Sequence, residues 1–448
     1  MNRSRKLSLI LTCCVLFVFG CNSKPPANVE TVAERNNSIK MAFTEESSPE
    51  ASETDARATV PAIEKTVVTD DSRYRPGAEE LMGRLRLAFS QENGSQLAEL
   101  IDAETMVRTA IEMGVIPSKF GRGTDGQAFT RGFRQGVAQS LAASGTLMKW
   151  DDTRITRIEA LDADRMVVYV KLWDDEMESY SKLRWWLSRS ASQWRLYDFE
   201  DFDMNIQMST MMGIGIAAQS EGRNGWAASL MRVLAFMQNQ GSASEMILSI
   251  DELEPEFESI LAAENVPPKI KSLAHFFKAS ILILNEQWES ALREIETAQS
   301  IEAGLPVHFY MKTVVLSGLE QYEEARAALD AYAAMLGWDA DTCMLAARIA
   351  YDSGDAATAR DYALRGLEDQ PGSFYNLEYY GLALPDNEKG KIEEYFVKLS
   401  DSELGFEYLM DAFLEQDDDA AMDALMAIQR KHNPESDLIE YYEEEMSN

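Results

Sequence analysis

Histidine is nearly missing from this chain. Only His275, His308 and His432 occur in 448 residues, and none lies between 76 and 210. A Ser–His or Cys–His pair therefore cannot form within that stretch. Metal chemistry is disfavoured as well. His275, His308 and Cys343 open successive helices, but a zinc site takes three or four converging ligands. Cysteine is equally sparse. Cys13, Cys14 and Cys21 sit at the very start and only Cys343 follows, so the bulk of the chain can form no intrachain disulfide. Basic charge is short too: 42 Lys and Arg stand against 75 Asp and Glu, a formal net charge of −33. Nucleic acid requires a basic footprint and is excluded as a partner.

What is present is core material. Apolar residues make up 46% of the chain and charged ones 26%, a globular composition over a length that suggests two or three domains. The acid is unevenly spread. Residues 206–448 carry 16 cations against 44 anions, whereas residues 73–205 are nearly balanced at 18 against 21. An acidic region of this kind either is a solvated outer face or draws cationic partners.

That acidic region also repeats. Ala291, Ala325 and Ala359 stand 34 residues apart. Trp288, Tyr322 and Ala356 keep the interval, as do Leu282, Leu316 and Ala350, and Ile295, Leu329 and Ala363. This period resembles the tetratricopeptide family, whose unit is a helix–turn–helix hairpin. The third unit matches best. Ala346, Ala347 and Ala350 line its first helix, Gly354-Asp355 make its turn, Ala359 and Ala363 line its second helix and Pro371 closes it. The first two units place Glu286 and Glu320 at the turn glycine's position. A fourth unit is expected over 404–434, where Ala421, Ala424 and Leu425 share a helical face and Pro434 follows. Single hairpins cannot bury their apolar faces, so the resemblance implies a stacked all-α solenoid over 271–448.

The N-terminus reads as a targeting segment over 1–21. Arg3, Arg5 and Lys6 precede an apolar run from Leu9 to Phe19, too short for a comfortable membrane span. Val18-Phe19-Gly20-Cys21 resembles the lipobox of bacterial lipoproteins, with valine and phenylalanine in place of the commoner residues. The resemblance implies lipidation of Cys21 and a place in the cell envelope. Asn22, which is not an inner-membrane retention signal, favours the outer membrane facing the periplasm. Residues 22–75 are poor in aromatics and rich in Pro, Ser, Thr and Glu, and read as a disordered linker. Its r.m.s. reach would be about 40 Å.

Residues 76–210 read as α+β. Ala78, Leu81, Met82, Leu85 and Phe89 make a helical stripe, with further helices expected near 95–114 and 126–143. Strands follow. Met166, Val168, Val170 and Leu172 alternate with Val167, Tyr169, Lys171 and Trp173, and later strands run through Leu183–Leu187 and Trp194–Phe199. Element order and the last strand resemble NTF2-like, cone-shaped domains. Some enzymes of that kind use an Asp base inside the cone, and Asp198 and Tyr197 occupy such a strand. Adjacent strand residues point to opposite faces, so only one of them could serve. The segment Gly121 to Gly126 matches GxGxxG but lacks the preceding strand and βαβ context of a dinucleotide site, and reads as a loop before a helix. Residues 211–270 read as connecting helices, and the methionines of 204–212 as core filler.

These readings give a multidomain chain, α+β and then helical repeats, with no catalytic set, no cofactor and no metal. The expected function is a lipid-anchored scaffold whose array docks a protein partner with basic segments. The alternative is a small-molecule binder using the α+β cavity. In the resembling family the first helix of each hairpin lines the groove. Here that gives Phe276 and Ser280, Tyr310 and Val314, and Met344, Arg348 and Tyr351. The lysines and asparagines that clamp a terminal carboxylate in some family members are missing from these positions. The groove should instead be an apolar and aromatic trough. For the N-terminus, Cys21→Ser should leave an unlipidated precursor. Mass spectrometry of the wild-type N-terminal peptide checks this, and an unmodified Cys21 or a different start refutes it.

Overall fold

The computed structural model describes residues 72–446, apart from residue 92 and the segments 145–152, 175–178, 191–192, 203–204, 223–224 and 240–249. The expected targeting segment, Cys21 and the linker up to residue 71 lie outside the described residues. The linker ends sooner than expected. Ser72–Tyr74 already form a 3-10 turn, and helix α1 (Arg75–Ser90) starts with Pro76 in its first turn, where the missing N–H costs nothing. Tyr74 meets Trp194 edge-on at 5.8 Å, which anchors the start of the fold to the sheet.

The helix expected near 95–114 is two helices, α2 (Gly94–Leu100) and α3 (Ala103–Glu112). Asp102 divides them because its carboxylate accepts from the Thr105 N–H at 3.0 Å, so α3 has its own cap. Helix α4 (Gly123–Ser144) follows. Strands β1 (Thr153–Ala160), β2 (Arg165–Asp174), β3 (Ser179–Ser190), β4 (Gln193–Asp201) and β5 (Ile206–Gln207) then form an antiparallel meander in sequence order. Val168 pairs with Trp185 and Val170 with Leu183, and all four belong to one buried core with the α1–α4 side chains.

The opposite face is buried too. Val167, Tyr169 and Phe202 lie in a second core whose remaining members come from the C-terminal helices. Both alternating sets of β2 are thus covered, a pattern expected of a central layer rather than a half-solvated sheet. Helices α5 (Met208–Glu221), α6 (Trp226–Asn239) and α7 (Ile250–Ala262) connect this layer to the repeats. Their apolar residues, such as Leu230, Leu234 and Phe257, extend the first core into the first hairpins.

The repeats are α8/α9 (Pro268–Leu284 and Trp288–Ile301), α10/α11 (Pro306–Gly318 and Tyr322–Leu336) and α12/α13 (Ala340–Asp352 and Ala356–Asp369). The second helices start at 288, 322 and 356, so the 34-residue period of the sequence is a period of the structure. Ala291, Ala325 and Ala359 are fully buried where paired helices approach most closely. Trp288 wedges against the next hairpin: a Cβ added at Gly318 would fall 2.7 Å from its indole. Beyond α13 the period breaks. Helix α14 (Phe374–Leu382) is followed by a 3-10 segment and the short α15 (Glu393–Phe396) instead of a full partner. The expected fourth hairpin then forms as α16/α17 (Ser402–Glu415 and Asp419–His432), and α18 (Asp437–Glu445) covers its end.

The missing turn glycines are not missing turns. Glu286 and Glu320 take φ of +55° and +58°, as Gly354 takes +86°, and Asp417 takes +51° at the fourth turn. Glutamate in this left-handed region costs about 1–2 kcal/mol of backbone energy, part of which glycine would return through unfolded-chain entropy. Glu320→Gly should therefore stabilise the fold by about 0.5 kcal/mol, and Gly354→Ala should destabilise it by about 1 kcal/mol. Urea denaturation of both variants checks the opposite signs.

Candidate functional site

The acidic array already holds one cationic surface, and that surface belongs to the same chain. The second face of the sheet presents Lys171 and Lys182 from β2 and β3. Both ammonium groups meet Asp339, at the start of α12, and all three side chains are almost inaccessible. Lys182 lies 3.1 Å from Asp339 and 3.2 Å from Asp341. It also sits 5.3 Å above the Tyr332 ring, within cation–π range. Lys171 makes the other ion pair with Asp339 and stands 5.6 Å over the Tyr180 ring. Asp339 is at the same time the cap of α12, accepting from the Thr342 N–H at 2.9 Å in a capping box.

Further contacts follow the same edge. Arg154 pairs with Asp369 at 3.6 Å, Arg157 donates to the Met335 carbonyl at 3.5 Å, and Gln370 donates to the Tyr180 hydroxyl at 2.8 Å. Burial would push the Asp339 carboxyl up, but the two lysines, the hydrogen bond from Lys171 and the Thr342 N–H together hold it well below the usual carboxylate range. Burial alone would likewise lower Lys182, yet Asp339, Tyr332 and Asp341 hold it well above the ordinary lysine value. Sequence reading missed this joint. The signal was in β2, whose second alternating set holds bulky Val167, Tyr169 and Trp173 around a lysine, a poor composition for a solvent-facing surface.

The sheet covers only part of the expected groove. Phe276 is a correction: it is 4% exposed and packs edge-on with Phe277 at 5.3 Å inside the first core, so it lines no open trough. The reason is its place on α8, which packs against the connecting helix α7 as well as α9. Ser280 is half-buried and donates back to the Phe276 carbonyl at 3.0 Å. Tyr310 packs tilted, at 5.5 Å, against Tyr332, whose ring lies under the sheet's Lys182, and Val314 is half-buried. Tyr310 therefore lies near the covered end.

The later positions remain accessible. Met344 is half-buried, Arg348 is exposed and pairs with Asp352 at 3.5 Å, and Tyr351 meets Tyr379 of α14 at 6.2 Å. Tyr375 of α14 lies 5.1 Å from Tyr408 of α16, and Tyr408 donates its hydroxyl to Glu378. Burial pushes the Glu378 carboxyl up to about 7, against the lowering effects of the Tyr408 hydrogen bond and of Arg348. Tyr375, Glu378 and Tyr379 escaped sequence reading because residues 372–401 fall out of the 34-residue register, and Tyr408, inside the expected fourth unit, has its partners in that segment. The local run Phe374-Tyr375…Tyr379-Tyr380 was the available hint.

Other candidates resolve into packing. Asp198 is fully buried and accepts from the Ser209 N–H at 3.1 Å and from its hydroxyl, which commits it to the N-terminus of α5. Burial raises its carboxyl to about 6. Tyr197 is 4% exposed, and burial raises its phenol to about 12. Gly121 closes a 3-10 turn, while Gly123 starts α4 and Gly126 lies inside it, so the GxGxxG stretch spans a turn and a helix rather than a loop. His275 contacts Glu294 at 2.6 Å, His432 contacts Glu393 at 2.7 Å, and His308 and Cys343 are buried. Among the described residues no group of three or more His, Cys, Asp or Glu is placed to hold a metal ion.

No family model matches this chain, and no curated protein matches it. Solved structures do. One is YrrB, titled a TPR protein with an unusual peptide-binding site, at 14% identity over 42% of this chain and 97% of that one, with a TM-score of 0.29. The repeat assignment here rests on the chain's own helical period.

The joint gives a stability prediction. Asp339→Ala leaves Lys171 buried without its counter-ion and Lys182 with Asp341 alone, and should cost about 3–5 kcal/mol. Because the folded-state pKa of Asp339 is depressed, its contribution is present above the unfolded carboxylate value and lost as pH falls through and below about 4. Denaturation of wild type and variant at neutral and acid pH checks this: the gap between them should narrow on acidification.

Proposed function

We propose that this chain is an envelope scaffold, anchored by lipid at Cys21 and held off the membrane by its linker, whose helical array docks a protein partner. The α+β unit serves as a buttress that fills one part of the array and leaves the C-terminal part open. The observation that carries this reading is the uncovered aromatic row of α12, α14 and α16. Tyr351, Tyr375, Tyr379 and Tyr408 retain partial exposure there, flanked by exposed Arg348. Half-exposed tyrosines on rigid helices supply contact area at low entropic cost, and Tyr and Arg dominate the residues that carry binding energy at interfaces. The Gly20-Cys21-Asn22 junction, which carries no inner-membrane retention signal, supports a place in the outer membrane facing the periplasm.

The rival reading, a ligand in the cone of the α+β unit, has less to rest on. Ile158, Val168, Val170, Leu183, Trp185 and Leu187 on that face of the sheet are each no more than 4% exposed and pack against helices. Asp198, the polar group best suited to such a site, is occupied by α5.

Affinity capture from detergent-solubilised envelopes tests the scaffold. Tyr351→Ala should weaken capture of a defined protein by about 1–2 kcal/mol, roughly five- to thirtyfold, with an unchanged melting temperature. Tyr310→Ala is the contrast: Tyr310 packs on Tyr332, the ring under the buried Lys182, and its loss should lower stability. Undiminished capture by the Tyr351 variant would count against the groove.

A further inference from the structure

We propose that Glu378 and the tyrosines around it form a receptor for one lysine or arginine side chain of the incoming partner. The inference rests on the scaffold reading and specifies its chemistry. It starts from a comparison within the molecule. Where the array holds the sheet, Lys182 is received by the ring of Tyr332 and the carboxylates of Asp339 and Asp341. The array thus takes up a lysine between a tyrosine face and an acid. One hairpin further on the same components recur. Glu378 lies beside Tyr379 and accepts from Tyr408, whose ring meets Tyr375 at 5.1 Å. Glu378 makes no ion pair among the described residues, and its nearest influential cation, Arg348, is directed at Asp352.

Charge complementarity points the same way. Asp352 and Glu415 act on this neighbourhood in addition to Glu378, against the single charge of Arg348. An entering ammonium or guanidinium would gain the ring faces and the carboxylate in a partly desolvated setting, where a cation–π contact is worth most. An anionic or apolar anchor would gain neither. Glu378 is part-protonated near neutrality because burial raises it to about 7. Cation binding favours its ionised form, so a proton leaves as the cation enters and affinity increases with pH through that value.

The test uses the full-length protein with isotopically labelled tyrosine rings, observed by NMR. It is titrated with Nα-acetyl-lysine amide and, at the same ionic strength, with the uncharged analogue Nα-acetyl-norleucine amide. The lysine compound should shift the Tyr375, Tyr379 and Tyr408 rings in a saturable way, and the norleucine compound should not. Glu378→Gln should weaken binding about tenfold. In wild type, affinity should fall several-fold between about pH 8 and about pH 6, and this pH dependence should vanish in the variant. Tyr379→Leu, which removes a ring and keeps the acid, provides a second variant should Glu378→Gln fold poorly. Equal response to both compounds, no response, or binding indifferent to Glu378→Gln and to pH would overturn the receptor. Partner capture that depends on Tyr351 but not on Glu378 would overturn it while leaving the scaffold standing. Saturable lysine binding without Tyr351-dependent capture would do the reverse.

Discussion

A buried carboxylate sits at the centre of the joint between the two halves of this molecule. Asp339 caps α12 and neutralises Lys171 and Lys182, so one side chain serves a helix end, two strands and the joint between sheet and repeats. Two ammonium groups with side chains no more than 8% exposed are tolerable only with such compensation. With Asp341, Asp369 and the apolar contacts of the second core, Asp339 joins the sheet to one part of the array.

The packing on either side of that joint follows from the sheet's two apolar faces. One is buried by α1–α4 and continues through α5–α7 into the first hairpins. The other is buried by hairpins from α10 onward. The repeats therefore do not end in a free N-terminal cap. Connecting helices and a β-layer supply the covering that a stack of hairpins needs at its end. Left-handed backbone at non-glycine residues of the described array occurs at its turns, where Glu286, Glu320 and Asp417 adopt a conformation that glycine would take without steric cost.

The excess of acid has a divided role. Some carboxylates cap helices: Asp355, Asp401 and Asp418 each accept a backbone N–H at the start of a helix. Asp339, Asp341 and Asp369 receive the basic residues of the sheet. Exposed runs such as Glu443 to Glu445 remain a solvated face. Glu378 belongs to none of these groups. It is half-buried among tyrosines, and burial rather than a partner sets its protonation.

The sequence by itself determined the elements and their order. The 34-residue spacing of small residues specifies hairpins because only alanine or glycine lets paired helices approach so closely, and this information is local. Alternation in β2 and β3 likewise specifies a sheet. The fourth hairpin was legible from Ala421, Leu425 and Pro434. Tertiary structure alone decided what each surface meets. Phe276 looked like a groove residue from its register, but its helix packs against α7 as well as α9 and the side chain lies inside the first core. Lys171 and Lys182 gave no sign of their counter-ion, because Asp339 lies more than 150 residues away in the chain. The tyrosines around Glu378 escaped the repeat register because α14 lacks a full partner helix. Periodicity reports which side of an element is apolar. Which neighbour covers that side depends on how the elements stack, and that is fixed by contacts between residues far apart in the chain.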